Sequence, residues 1–415
     1  MLIAHILRKL DPVEWSGTEM AIQRLLDGLR AHGVQARVFC PRLPLPADPD
    51  PLVRAGVPVH RFRAFVPVLG LSQERRRQLV SVGGNLMSFQ LLRALWRQKD
   101  LAVIHTHTLG RLGGIGLTVA RQRRLPFVVT IHGGLLDLPK KLQQTFNEPL
   151  DHGWEWGKLF GLLFQSHRLL RDADAILTCN SREAALLQQQ LPAKRVVTQP
   201  HGVPLHLYQE DHSVAALTAF PQLANRDVLL CLGRLDPVKN QGWLLDQLPT
   251  IVQKHPRALL VLAGPCTDEP YGRLLKEKIQ KANFSAHVLL TGGLPPNDPR
   301  VIGLLQTARV LLLPSLSETF GLVILEAWAA GTMVIAARAS GPAALVRSGN
   351  NGWLFDLDDP AGFHQALEQT LGDPTQARSM VQRGRELAAL YGIEAVAAHL
   401  RTLYEELVEE KLCTT

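Results

Sequence analysis

Val310-Leu311-Leu312-Leu313-Pro314-Ser315-Leu316-Ser317-Glu318-Thr319-Phe320-Gly321-Leu322-Val323-Ile324-Leu325-Glu326-Ala327-Trp328-Ala329-Ala330-Gly331 is the stretch that decides how this chain is read. Its first four residues are an apolar run of the length of a buried strand. A polar turn with Glu318 follows, a helix opens near Phe320 and carries Glu326, and Gly331 stands where helices end. A helix N-terminus just beyond a strand end offers unbonded backbone N–H groups and the positive end of the dipole, which suits a phosphate. The two carboxylates lie eight residues apart, and at about 1.5 Å of rise per residue that is on the order of 12 Å. This is roughly the span from a sugar, across a diphosphate, to a ribose. The same spacing also fits an ordinary strand–loop–helix unit whose glutamates bind nothing.

Glu318, seven residues, then Glu326, with Phe320-Gly321 between them, resembles the nucleotide-sugar signature of the retaining GT-B glycosyltransferases of the fourth sequence family, glycosyl transferases group 1. The flanks resemble it too: the strand ending in Pro314-Ser315, then Glu326-Ala327-Trp328-Ala329-Ala330-Gly331, then a second strand, Met333–Ala337. The resemblance implies an α/β, GT-B fold, with two Rossmann-like domains facing each other across a cleft. It implies a hexosyltransferase-type enzyme that moves a sugar from a nucleotide diphosphate to an acceptor, with retention and without metal or other cofactor. In that reading Glu318 binds sugar hydroxyls, Glu326 binds the ribose, and the helix start at Phe320, Gly321 and Leu322 meets the phosphates.

At 415 residues the chain is too long for one ordinary core, and two domains are expected. Five scattered cysteines, with no Cys-x-x-Cys and no matching histidine spacing, argue against a zinc site or a disulfide framework and point to a reducing cytoplasm. No apolar run approaches the ~20 residues of a membrane span. The apolar residues of the amino terminus precede Arg8-Lys9, the reverse of a secretory signal.

Apolar strands alternate with helical patterns throughout, the signature of parallel α/β sheets. Strands are expected at Leu2–Leu7, Gln35–Cys40, Val57–Phe62, Leu101–His107, Pro126–Ile131, Ala175–Thr178 and Val196–Gln199, with helices at Thr18–Ala31 and Gln73–Gln98. The second half repeats the scheme from Val228–Leu232 onward, and the break falls near Pro200–Pro204. The expected domains are 1–204, on the acceptor side, and 205–392, on the donor side, with a final helix, about 393–415, packing back on the first. No Gly-x-Gly-x-x-Gly follows the first strand, which weakens a dinucleotide oxidoreductase.

Other strand ends carry candidate groups. Gly233-Arg234-Leu235-Asp236-Pro237-Val238-Lys239 follows a strand and holds two cations, Arg able to grip phosphate bidentately and Lys a point charge. It resembles the family's Gly-Arg-Leu…Lys-Gly element, whose cations neutralise the diphosphate, although Asn240-Gln241-Gly242 follows the lysine here. Ser16-Gly17 stands where the family has two glycines before a helix, which leaves Gly17 as the contact. His132-Gly133 resembles the pair whose imidazole lies near the transferred sugar. Gly292 and Leu294, in Thr291-Gly292-Gly293-Leu294, fall where the family's backbone meets the nucleobase. His105 and His107 end the preceding strand and are acceptor-side candidates. Their i, i+2 spacing lets a metal site be imagined, but no third ligand is evident. Leu135–Gly161, with Trp154, reads as an acceptor-side insertion.

Three rivals are weighed. A phosphorylase-like enzyme would bind pyridoxal phosphate in a much longer chain. A nucleotide-sugar epimerase does not usually carry the two-glutamate helix, and a non-catalytic nucleotide-sugar-binding subunit would not need every donor-side group. Charge adds one more expectation. Residues 1–200 hold 27 Lys and Arg against 15 Asp and Glu, while the rest holds 18 against 22. A basic first domain whose charge clusters lie beside apolar and aromatic residues is expected to dock peripherally on the inner membrane face, towards a glycan or lipid-linked acceptor of the cell-envelope polysaccharide kind. Nucleic acid is a poorer partner, since no binding motif accompanies the charge.

Overall fold

Runs such as Ile3-Ala4, Val103-Ile104, Val128-Val129 and Leu259-Leu260 are buried throughout, the mark of parallel strands covered by helices on both faces. The structure, a computed structural model, describes residues 1–10, 17–42, 51–70, 72, 86–133, 154–295 and 297–413, with backbone alone at 51, 154 and 155. The chain divides into two compact units, Met1–His201 with Glu394–Thr415, and Gly202–Ile393. Together they have the two Rossmann-like sheets of the GT-B class.

In chain order the first unit carries β1 (Leu2–Ile6), β2 (Gln35–Pro41), β3 (Val59–Phe62), β4 (Val68–Leu69), β5 (Leu101–Thr106), β6 (Phe127–Ile131), β7 (Trp154–Glu155), β8 (Ala175–Thr178) and β9 (Val196–Thr198). Its main sheet has the order β3-β2-β1-β5-β6-β8-β9, parallel throughout. β4 and β7 form a separate antiparallel ribbon. The second unit carries β10 (Asp227–Leu232), β11 (Ala258–Ala263), β12 (Val288–Gly292), β13 (Val310–Leu313), β14 (Met333–Ala337) and β15 (Trp353–Phe355). These form a parallel sheet of order β12-β11-β10-β13-β14-β15. Strand order therefore reverses between β1 and β5 in one sheet, and between β10 and β13 in the other. Ligands of such sheets collect at the carboxyl ends of the strands beside the reversal.

Two helices depart from the pattern in the sequence. A single helix over Gln73–Gln98 is not what forms: Leu86–Ser88 is not helical, Met87 bridges to Phe65, and the helix runs only Phe89–Arg97. Ser88 starts it, because its extended backbone lets its hydroxyl accept the Leu91 N–H at 3.1 Å. Residues 73–85 lie outside the described ones. The helix Gly110–Gln122 was not anticipated, since its glycines erase the helical signal. They serve packing: a Cβ on Gly116 would stand 2.6 Å from Ile6 on β1. The last helix, Ile393–Cys413, shares a core with the first sheet, where Ala397, Leu400, Leu403 and Leu407 meet Ile3, Leu7, Val103 and Val128.

Candidate functional site

In the second unit the reversal is lined by two loops, one after β10 and one after β13. Gly264, just past β11, approaches the first so closely that a Cβ would stand 2.1 Å from the Gly233 carbonyl oxygen. Its N–H donates to the Gly292 carbonyl at 3.1 Å, so backbone meets backbone at the ends of β10, β11 and β12. Gly292 is exposed and Leu294 half-buried beside them.

The loop after β10 folds around Asp236, which is buried. Its Oδ1 accepts the Lys239 N–H at 3.1 Å, and its Oδ2 lies 3.1 Å from the Arg234 guanidinium. Asn240 takes a left-handed conformation (φ 56°) and turns the chain into the helix Gln241–Lys254. From that helix the buried Gln241 donates to the Arg234 carbonyl at 2.7 Å. The Leu316 N–H donates to the Val238 carbonyl at 2.8 Å and ties this loop to the one after β13. Lys239 Nζ therefore reaches Glu318 Oε2, 2.5 Å away, with both side chains mostly covered. Burial opposes the Lys239 charge, but Glu318, its hydrogen bond and Asp236 outweigh burial and raise the ammonium above its ordinary value. Each cation of the loop thus already holds a carboxylate, a balance that counting the cations alone did not reveal.

The loop after β13 is pinned by the Gly341 N–H, which donates to the Glu318 carbonyl at 2.8 Å. Phe320 is buried against Tyr391, ring centroids 6.0 Å apart. Gly321 (φ 89°) caps a helix that runs Leu322–Ala330, and Gly331 (φ 90°) ends it. The helix thus opens two residues later than the sequence implied. Glu326 rides on it half-buried, whereas Glu318 precedes it. Helical rise therefore measures only the part from Leu322 onward, and the 12 Å spacing does not follow from it.

In the first unit the reversal between β1 and β5 is lined by histidines. His5 and His105 are register partners on β1 and β5, and His107 follows β5 with its N–H donating to the Ile6 carbonyl at 2.9 Å. Imidazoles then join in series: His5 Nδ1 lies 3.0 Å from His107 Nε2, and His107 Nδ1 lies 2.9 Å from His132 Nε2, beyond β6. His132 stacks on His201, centroids 5.5 Å apart. His105 is bonded on both nitrogens, to Tyr404 and, at 2.6 Å, to Thr130. Burial lowers all five: His5 and His132 to about 3, His201 to about 4, and His105 and His107 well below the usual range. Neighbouring histidines push His105, His107 and His132 further down, and Arg24 does the same to His201. They are neutral near pH 7.

Of the sequence candidates, Arg234, Lys239, Glu318, Phe320, Gly321, Leu322 and Glu326 fall on the two loops and one helix of the second reversal, with Gly292 and Leu294 on the adjoining strand end. His105, His107 and His132 meet at the first. Gly17 opens the helix Gly17–Ala31, with no described atom within 4 Å of where a Cβ would stand. Trp154 pairs with Leu69 through backbone, and its side chain lies outside the described part, as do residues 134–153 of the expected insertion. Sequence reading missed Asp236, Gly264, His201 and His5. The sequence made no third ligand evident beside His105 and His107, and the structure brings His5 to them: one nitrogen of each lies within 4.8 Å of the others. A lone polar residue inside the apolar run Leu2–Leu7 was the signal available.

Residues 16–202 match the family model described as Glycosyl transferase 4-like domain, and residues 219–387 match that of Glycosyl transferases group 1. A D-inositol 3-phosphate glycosyltransferase of Corynebacterium urealyticum is 34% identical, over 98% of this chain and 96% of its own. One from Thermobispora bispora is 27% identical, over 98% and 95%. Among solved structures, Anabaena HepE in complex with UDP shares the fold, with a TM-score of 0.73 and 18% identity, over 98% of this chain and 100% of that one.

Proposed function

This chain belongs to the glycosyl transferases group 1, the fourth glycosyltransferase family, and we propose that it transfers a sugar, with retention, from a nucleotide diphosphate to an anionic acceptor. The observation that carries this reading is the Lys239–Glu318 pair at the reversal of the second sheet, with Arg234 beside it. In the reaction the anomeric carbon–oxygen bond to the diphosphate breaks through an oxocarbenium-like state. The acceptor oxygen bonds to the same face, and its proton passes to the departing phosphate.

Charge then builds on the diphosphate, where a prearranged cation contributes most. Lys239 is held in place, and Arg234, half-exposed on its loop, can turn from Asp236 to a phosphate. The N-terminus of the helix Leu322–Ala330 adds backbone N–H groups. Glu318 accepts from sugar hydroxyls and Glu326 from the ribose, and the family resemblance gives His132 a place near the transferred sugar. With these groups no metal is required, so turnover should survive EDTA; loss restored by magnesium or manganese would refute that point.

The relatives named for D-inositol 3-phosphate favour a small phosphorylated polyol as acceptor. A lipid-linked acceptor at an anionic membrane is the second reading. It is favoured by the basic first 200 residues and by Leu159, Leu162 and Leu163, exposed beside Lys158 on one short helix. Among the described residues no helix is long and apolar enough to cross a membrane. A thermal-shift panel of nucleoside diphosphates and their sugars tests the donor, and co-sedimentation with anionic and neutral liposomes tests the membrane. Stabilisation by a nucleoside diphosphate but not by its nucleoside is expected; no shift with any of them would defeat the reading.

A further inference from the structure

Asp236 is the most deeply placed charge of the loop after β10, its side chain 10% exposed against 44% for Arg234 and 22% for Lys239. Its two oxygens do different things. Oδ1 accepts the Lys239 N–H at 3.1 Å and so sets the direction in which the lysine leaves the backbone. Oδ2 lies 3.1 Å from the Arg234 guanidinium. The backbone around Arg234 is fixed from both sides: the Gly233 and Leu235 N–H groups donate to the Ala263 and Pro265 carbonyls, each at 2.8 Å, and the Arg234 carbonyl accepts from the buried Gln241 at 2.7 Å. Movement here therefore belongs to the arginine side chain, and Asp236 is what restrains it. An ion pair with one partner largely in solvent is weak enough to be exchanged for another. The two cations and the two carboxylates, Asp236 and Glu318, cancel in charge, so a diphosphate at this loop gains only what it takes from a carboxylate.

We propose that Asp236 is a positioning residue with two roles: through Oδ1 it aims Lys239, and through Oδ2 it competes with the donor's diphosphate for Arg234, which keeps the grip on that group weak enough to release. The proposal rests on the reading above, in which this loop meets the diphosphate. An aspartate that only shaped the loop would behave differently. Its loss would weaken phosphate binding, whereas a competitor stripped of its charge strengthens it.

The test compares Asp236→Asn with Asp236→Ala in the full-length protein. Both remove the same charge, but asparagine keeps an oxygen for the Lys239 N–H and alanine does not. In titration calorimetry with UDP, GDP, ADP and inorganic pyrophosphate, Asp236→Asn should bind about three- to tenfold more tightly than wild type at low salt, and the gain should shrink at high salt. Asp236→Ala should bind at least about fivefold more weakly than Asp236→Asn, since the Lys239 N–H loses its acceptor. Phenylglyoxal modification of Arg234, located by peptide mass spectrometry, should be faster in Asp236→Asn than in wild type and slowed by pyrophosphate. Asp236→Asn that binds no more tightly than wild type would overturn the proposal, as would Arg234 labelled at equal rates in the two or Asp236→Ala binding as tightly as Asp236→Asn. The labelling rate is read without nucleotide. Faster labelling in a protein that binds none of these anions would uphold the restraint on Arg234 and fault the functional reading instead.

Discussion

At the reversal of the first sheet the polar groups are histidines kept neutral by burial, while at the reversal of the second they are two cations, each beside a carboxylate. Both places arise from the same topology, yet the loops fill them differently. The first site offers neutral donors and acceptors, through a hydrogen-bonded line of imidazoles. The second offers charge, through Lys239 and Arg234, balanced until a competing anion arrives. A shared fold thus supplies the location, and the few residues past each strand end supply the chemistry.

The sharpest way to break this contrast is at the charged site. Lys239→Met leaves Glu318 without its partner, and Glu318→Gln leaves Lys239 without its own. Each should cost about 2–3 kcal/mol of transition-state stabilisation, a fall of roughly 30- to 150-fold in kcat/KM. Because the two groups touch, the double variant should fall short of the product of the singles, with a coupling of about 0.5–3 kcal/mol. Strict additivity would mean that the pair does not act as one unit.

The two sites should also answer pH in opposite directions. His5 and His132 titrate near 3 in the folded chain against 6.5 unfolded, so the unfolded state binds more protons between those values. Stability is therefore full above about 6.5 and falls as the pH drops, by up to about 1.4 kcal/mol per pH unit for each such histidine. Lys239 is raised above 10.5, so its contribution is full below that value and is lost as the pH climbs through the raised one. Urea unfolding across pH checks both arms. A curve flat from pH 6.5 to 4 would contradict the neutral histidines.

A smaller effect sharpens the division of labour inside the second site. Glu326→Ala should raise the donor KM about tenfold, or ~1.4 kcal/mol, and leave kcat nearly unchanged, since a ribose contact is the same before and during the reaction. Initial rates over a range of donor concentrations separate it from Glu318, whose loss should appear in kcat.

Most strands were legible because buried parallel strands are written as short apolar runs, as in Ala258–Ala263 and Met333–Ala337. The helix Gly110–Gln122 was not, because Gly116 answers to Ile6 on β1, Gly113 to Leu169 and Thr108, and Gly114 to Phe164, contacts that a one-dimensional pattern does not display. In the second unit the candidate residues sit within single strand-to-helix loops, so their spacing could be read directly. The histidine line draws on β1 and the segments after β5 and β6, and Asp236 gains meaning only once Arg234 lies beside it. Such groupings come from sheet order, which no local window contains.

The central claim is best tested by incubating purified protein with labelled nucleotide sugars and D-inositol 3-phosphate, and following the anomeric proton of the product by NMR. The account predicts an acceptor-linked sugar with the anomeric configuration of the donor, formed by the wild type and nearly abolished in Lys239→Met. An inverted product, or equal product from the two proteins, would contradict it.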